Sequence, residues 1–141
     1  AESDLVIGCV LVAGAKAPVL VTEEMVKSME PGSAIVDVAI DQGGCFETSR
    51  PTSHENPVYT EEGVIHYCVT NMPGAVSRTS TYALTNYTLP YLMALAQDPV
   101  AAIKNDPALA LGVTTWDGKC VYEAVANDLN FEYTPLTKAI G

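Results

Sequence analysis

Three apolar runs limit what this chain can fold into more than any other feature. Asp4–Leu11 (DLVIGCVL), Ser33–Ile40 (SAIVDVAI) and Val64–Asn71 (VIHYCVTN) are rich in β-branched and other apolar residues and lack steady polar alternation. Such runs mark parallel strands covered on both faces. Between the first two lies TEEMVKSMEPG. Thr22 can cap a helix there, Glu23 and Glu24 suit its positive end, and Pro31–Gly32 stop it. Strand, helix, strand predicts an α/β fold on a parallel sheet. So apolar a strand near residue 1 would leave an edge open to pairing. The reading we favour makes these residues part of a longer polypeptide; pairing with another chain is the alternative.

The link from the second run to the third, residues 41–63, is rich in glycine, proline, serine, threonine and charge, with no helical period. An irregular link of this length inside a compact domain is usually functional, and loops after parallel strands line ligand crevices. Beyond Asn71 the pattern turns helical. Ser80–Leu95 is a long helical segment in which Pro90 should kink or reset the helix. Pro99–Leu111 and Tyr122–Leu129 read as shorter helices, and Asp117–Gly118 as a hairpin turn.

The 141 residues carry a formal charge of −10, from 17 acidic and 7 basic side chains. The basic residues form no cluster, so a phosphate backbone would be repelled; sequence-nonspecific nucleic-acid binding is disfavoured and no nucleic-acid partner is expected. Cys9, Cys45, Cys68 and Cys120 form no C-x-x-C pair, and with His54 and His66 they make no zinc spacing. They read as buried, reduced thiols, and no metal site is expected. Glu2 and Asp4 precede the apolar run Leu5–Ala13, where a signal peptide would be basic, and Lys16 ends it well short of a membrane span. The expectation is a soluble, cytoplasmic protein with no membrane partner.

VDVAIDQGGCFETSRPT is the most informative stretch. The second strand delivers Asp41 to its C-terminal edge, and Gly43–Gly44 let the backbone pass close to a ligand. A carboxylate there can orient a nucleotide ribose or move a proton. It can equally cap a turn, and on residue type alone the cap weighs slightly more. Asn71–Met72–Pro73–Gly74 ends the third strand at the same edge: Asn71 can bond a carboxamide and Met72 can pack on a flat ring, although Asn-x-Pro-Gly is more often a plain turn. Arg50 can face a phosphate or carboxylate, but a lone loop arginine is usually solvated. His66, mid-strand, reads as a hydrogen-bonded core histidine, and His54 as an exposed loop residue. There is no G-x-G-x-x-G, P-loop, G-x-S-x-G or HExxH.

DLVIGCVLVAGAKAPVLV, PGSAIVDVAIDQGGCFETSRPT, YCVTNMPGAVSRTSTYALTN and DPALALG, with the closing YTPL, resemble the C-terminal region of alanine dehydrogenases. Proton-translocating nicotinamide nucleotide transhydrogenases share the fold and parts of these words, but DQGGCFETSRPT is similar to the alanine dehydrogenase version. The resemblance implies the second half of a Rossmann-type parallel sheet (residues 1–78) followed by C-terminal helices that return to a substrate domain (79–141). It implies NAD-dependent, reversible oxidative deamination of L-alanine to pyruvate and ammonium. Cofactor contacts are implied at Val10, Leu11, Val38, Ala39, Ile40, Asp41, Arg50, Val69, Thr70, Asn71 and Met72, with Asp41 the catalytic carboxylate. The family's pyrophosphate loop and its pyruvate-binding residues precede this region. A fragment of a longer, homo-oligomeric enzyme (a hexamer by resemblance), inactive alone, is therefore expected. The alternatives are a transhydrogenase-type NAD domain and a non-catalytic truncated module.

Overall fold

The computed structural model describes residues 2–141. It forms two compact units, one ending at Ala75 and the other running from Val76 to Gly141.

The first unit is α/β. Strand β1 (Leu5–Gly8) pairs in parallel with β2 (Ala34–Asp37), which pairs in parallel with β4 (Val64–Tyr67). Helix α1 (Glu23–Lys27) connects β1 to β2, and the Thr22 hydroxyl accepts from the Met25 N–H at 3.3 Å as its cap. Each strand is shorter than its apolar run. The second run leaves the sheet after Asp37 and winds into a 3-10 turn, Val38–Gln42.

Two expectations need correction. The link 41–63 is not wholly irregular: β3 (Val58–Glu61) runs antiparallel to β4 at the sheet edge, giving the order β1-β2-β4-β3. Glu62 (φ 51°) and Gly63 (φ 78°) make the two-residue turn between them, with both residues left-handed as a primed hairpin turn requires. Nor are the strands covered on both faces. Ile35, Asp37, Val64 and His66 face the core with Val26 and Met29 of the α1 segment, whereas Leu5, Ile7 and Ile65 on the opposite face are exposed. Covering an apolar strand twice needs two layers, and α1 and its flanks supply one.

The second unit is mainly helical. Helix α2 (Ser77–Gln97) is unbroken through Pro90, so of the kink or reset expected there, the reset does not occur. Proline removes the donor to the Asn86 carbonyl, but α2 is exposed at this point and water can take its place. The stretch expected as one helix after Pro99 is two, α3 (Pro99–Asn105) and α4 (Pro107–Leu111). Asp98 and Asp106 each cap a helix that begins with proline, and the second Asp-Pro is what divides them. Asp117 (φ 46°) and Gly118 (φ 73°) turn β5 (Thr115–Trp116) back onto β6 (Lys119–Cys120) as expected. Helices α5 (Glu123–Leu129) and α6 (Leu136–Ala139) follow. No helix among the described residues is long and apolar enough to cross a membrane.

Candidate functional site

Parallel strands β1 and β2 end side by side, and the chain that leaves them builds a crevice of about 290 Å³. Cys9, Val10 and Leu11 form one wall, and Val38, Ala39, Asp41 and Gln42 the other. Five of the residues singled out by the sequence (Val10, Leu11, Val38, Ala39 and Asp41) are thus brought together.

The crevice stands on a carboxylate that sequence reasoning passed over. Asp37, at the end of β2, is completely buried. Its Oδ1 accepts from the Ala39 N–H at 3.0 Å and from the Cys45 thiol at 3.5 Å. Its Oδ2 accepts from the Cys45 N–H at 2.9 Å and from the Ser49 hydroxyl at 2.6 Å. One side chain therefore caps the 3-10 turn and fastens the following loop beneath it, as a buried carboxylate must if its lone pairs are to be satisfied. Gly44 (φ +79°) completes this packing: a Cβ there would lie 2.9 Å from Asp37 Oδ2 and 3.0 Å from the Ser49 Cβ. The signal was present in the sequence as an acid inside a run of Ile, Val and Ala.

Asp41 is different. The cap of its turn is Asp37, and the exposed Asp41 carboxylate instead spans to the segment that follows β4, where it accepts from the Asn71 N–H at 3.2 and 3.3 Å. Asn71 adopts the left-handed conformation (φ 53°), which asparagine tolerates better than most residues. Val69 and Thr70 reach this edge beside Thr52, where the Thr70 N–H donates to the Thr52 carbonyl at 3.1 Å. Ile40 and Val69 bury their side chains in the core and are not among the residues lining the crevice. Met72 is half-buried and begins a second 3-10 turn, Met72–Val76.

Arg50 is not among the residues lining this crevice. Its guanidinium lies 3.9 Å over the Tyr59 ring and borders a separate depression of about 520 Å³. Tyr59 itself donates to the Thr48 carbonyl at 2.8 Å, accepts from the Arg50 N–H at 2.9 Å, and stacks on His66 with centroids 4.9 Å apart. Burial, then a hydrogen bond with Cys68, raises its phenol pKa. His66 is the satisfied core histidine expected: Nδ1 donates to the Val64 carbonyl at 3.0 Å, leaving Nε2 to accept from the Thr48 hydroxyl at 2.8 Å. His54 is exposed, also as expected.

The thiols depart from expectation at one position. Cys45, Cys68 and Cys120 are buried and free, but Cys9 is exposed, because β1 ends at Gly8 and Cys9 turns onto the crevice wall. Burial and then the Asp37 charge push the Cys45 thiol up to about 11. No group of three or more His, Cys, Asp and Glu able to hold a metal occurs among the described residues.

Residues 1–123 match the family model "Alanine dehydrogenase/PNT, C-terminal domain". The alanine dehydrogenase of Methanococcus maripaludis is 60% identical over 141 residues, an alignment that takes in 99% of this chain and 38% of that protein. That of Halomonas elongata is 57% identical over 141 residues, with the same coverage of 99% and 38%. Among solved structures, an L-alanine dehydrogenase superposes with a TM-score of 0.74 at 51% identity, covering 92% of this chain and 36% of that one. A transhydrogenase from Sinorhizobium meliloti superposes with a TM-score of 0.52 at 34% identity, over 57% of this chain and 22% of that one. The chain thus spans about 38% of the length of these curated relatives.

Proposed function

Because the chain belongs to the alanine dehydrogenase/PNT C-terminal domain family, we propose that it supplies the nicotinamide-side half of the active site of an NAD-dependent alanine dehydrogenase. The substrates are L-alanine and, in reverse, pyruvate with ammonium. The rest of the site, in this reading, comes from residues outside these 141. The domain division follows from it: residues 1–78 serve the cofactor, and 79–141 return toward the substrate domain. The observation that carries the proposal is the crevice at the C-terminal edge of parallel strands, apolar along its walls and bearing one exposed carboxylate, Asp41, tied to the segment that follows the neighbouring strand.

The residues present suit the cofactor. A flat heterocycle needs apolar walls, and Val10, Leu11, Val38 and Ala39 supply them. The Gln42 Oε1, buried in the same wall, has no hydrogen-bond partner among the described residues and is an acceptor left open for a ligand N–H. Bound NAD would supply the hydride acceptor for oxidation at the alanine α-carbon. Asp41 would hold a ribose hydroxyl, or take a proton at a carboxylate oxygen from the water that adds to the resulting imine carbon of the substrate. Thr70, Asn71 and Met72 would border the same ring from the β4 side, with Ile40 and Val69 contributing backbone. Arg50, exposed and backed by Tyr59, would meet an anionic part of a ligand from the neighbouring depression.

The test is Asp41→Asn in the full-length polypeptide that carries this chain. The expected result is a kcat for alanine-dependent NAD reduction lower by about two to four orders of magnitude, with normal thermal melting. Near-wild-type kcat with normal melting would remove Asp41 from the mechanism.

A further inference from the structure

We propose that His54 is a positioning residue for Asp41, acting through the backbone of Asn71; the inference rests on the alanine dehydrogenase reading above. Thr52 bridges Val69 just after β4, where the Thr52 N–H donates to the Cys68 carbonyl at 2.9 Å. This lays the loop carrying His54 alongside Asn71. There the His54 Nε2 donates to the Asn71 carbonyl at 3.0 Å, and the Gly74 N–H donates to the same oxygen at 2.8 Å. The N–H of the same residue donates to both oxygens of Asp41, at 3.2 and 3.3 Å.

Asn71 is therefore held from both sides of its Cα. Its left-handed backbone (φ 53°) is one that side chains other than asparagine and aspartate adopt reluctantly, and such conformations persist where the surroundings fix them. His54 and Gly74 fix the following peptide plane, and the preceding plane aims its N–H at Asp41. The space for this is also specific. A Cβ on Gly74 would lie 3.2 Å from the His54 Nε2 and 3.2 Å from the Asn71 Nδ2, so the glycine leaves the gap that the imidazole tip fills. Because the acceptor is a carbonyl, Nε2 carries the proton, and it donates whether the ring is neutral or charged. A glutamine can present an amide N–H from about the same reach.

The test compares His54→Ala, His54→Gln and Gly74→Ala in the full-length enzyme. His54→Ala should lower kcat about five- to tenfold, the worth of one lost hydrogen bond, with KM for alanine and NAD unchanged. His54→Gln should restore most of it. Gly74→Ala should lower kcat likewise, and the double variant should lose little more than either single one, since both act on one contact. Hydrogen exchange adds a readout independent of turnover: deuterium uptake over residues 69–74 should rise in His54→Ala and not in His54→Gln. Unchanged uptake in His54→Ala would overturn the proposal, and so would wild-type kcat in that variant. If the wild-type enzyme itself lacked alanine-dependent NAD reduction, the functional reading would fail, and the exchange measurement would still decide whether His54 holds Asn71.

Discussion

Asp37 and Asp41 belong to one short stretch, VDVAID, and their surroundings are opposite. Asp37 is fully buried and receives two backbone N–H groups, a hydroxyl and a thiol. Asp41 is exposed, and among the described residues its carboxylate accepts at both oxygens from the Asn71 N–H. A carboxylate saturated with donors is structural: its free energy is committed to holding a loop, and it has no lone pair to offer. One held by a single peptide keeps acceptor capacity for a ligand. The floor of the crevice and its rim thus divide stability from chemistry between two aspartates.

Variants at the two positions can break this contrast. Asp37→Ala strands several buried donors and should lower stability by about 3–5 kcal/mol in urea unfolding, while Asp41→Ala should stay within about 1 kcal/mol. Equal losses at the two sites would erase the division. Gly44→Ala sharpens it, because a methyl at φ +79° must enter the Asp37–Ser49 contact. A loss of about 2 kcal/mol is expected, and a neutral result would mean the floor can yield.

The smallest effect concerns Cys45, whose thiol rises from the ordinary 9.0 to about 11. An unfolded chain releases that proton near pH 9, whereas the folded chain keeps it to about 11. Folded-state stability should therefore be undiminished by this group below pH 9 and should fall as pH climbs through that window. Alkylation followed by mass spectrometry should mark exposed Cys9 at neutral pH and spare Cys45. Equal labelling of the two would show the floor to be open.

Much of the rim was legible and little of the floor. Val10, Leu11, Val38, Ala39 and Asp41 follow apolar strands directly, so knowing where strands end was enough to gather them at one crevice. Asp37 was hidden by the same pattern: inside SAIVDVAI it reads as one more strand residue, and only tertiary packing shows that the strand stops there and the acid caps the next turn. Strand β3 was missed because VYTE follows a proline and turns through Glu-Gly rather than a stronger hairpin pair. The His54–Asn71 bond joins residues 17 apart through a single bridge at Thr52, which no local period reveals. The helices of the second unit were readable in type, but the second Asp-Pro boundary, at Asp106–Pro107, was overlooked.

Alanine-dependent NADH formation is the most direct test of the proposal that this crevice is one half of an alanine-oxidising site. On that proposal the purified 141-residue chain should show none, and the longer polypeptide it calls for should reduce NAD with L-alanine and oxidise NADH with pyruvate and ammonium. Turnover by the 141 residues alone, or a full-length protein that binds NAD yet leaves alanine untouched, would contradict the account.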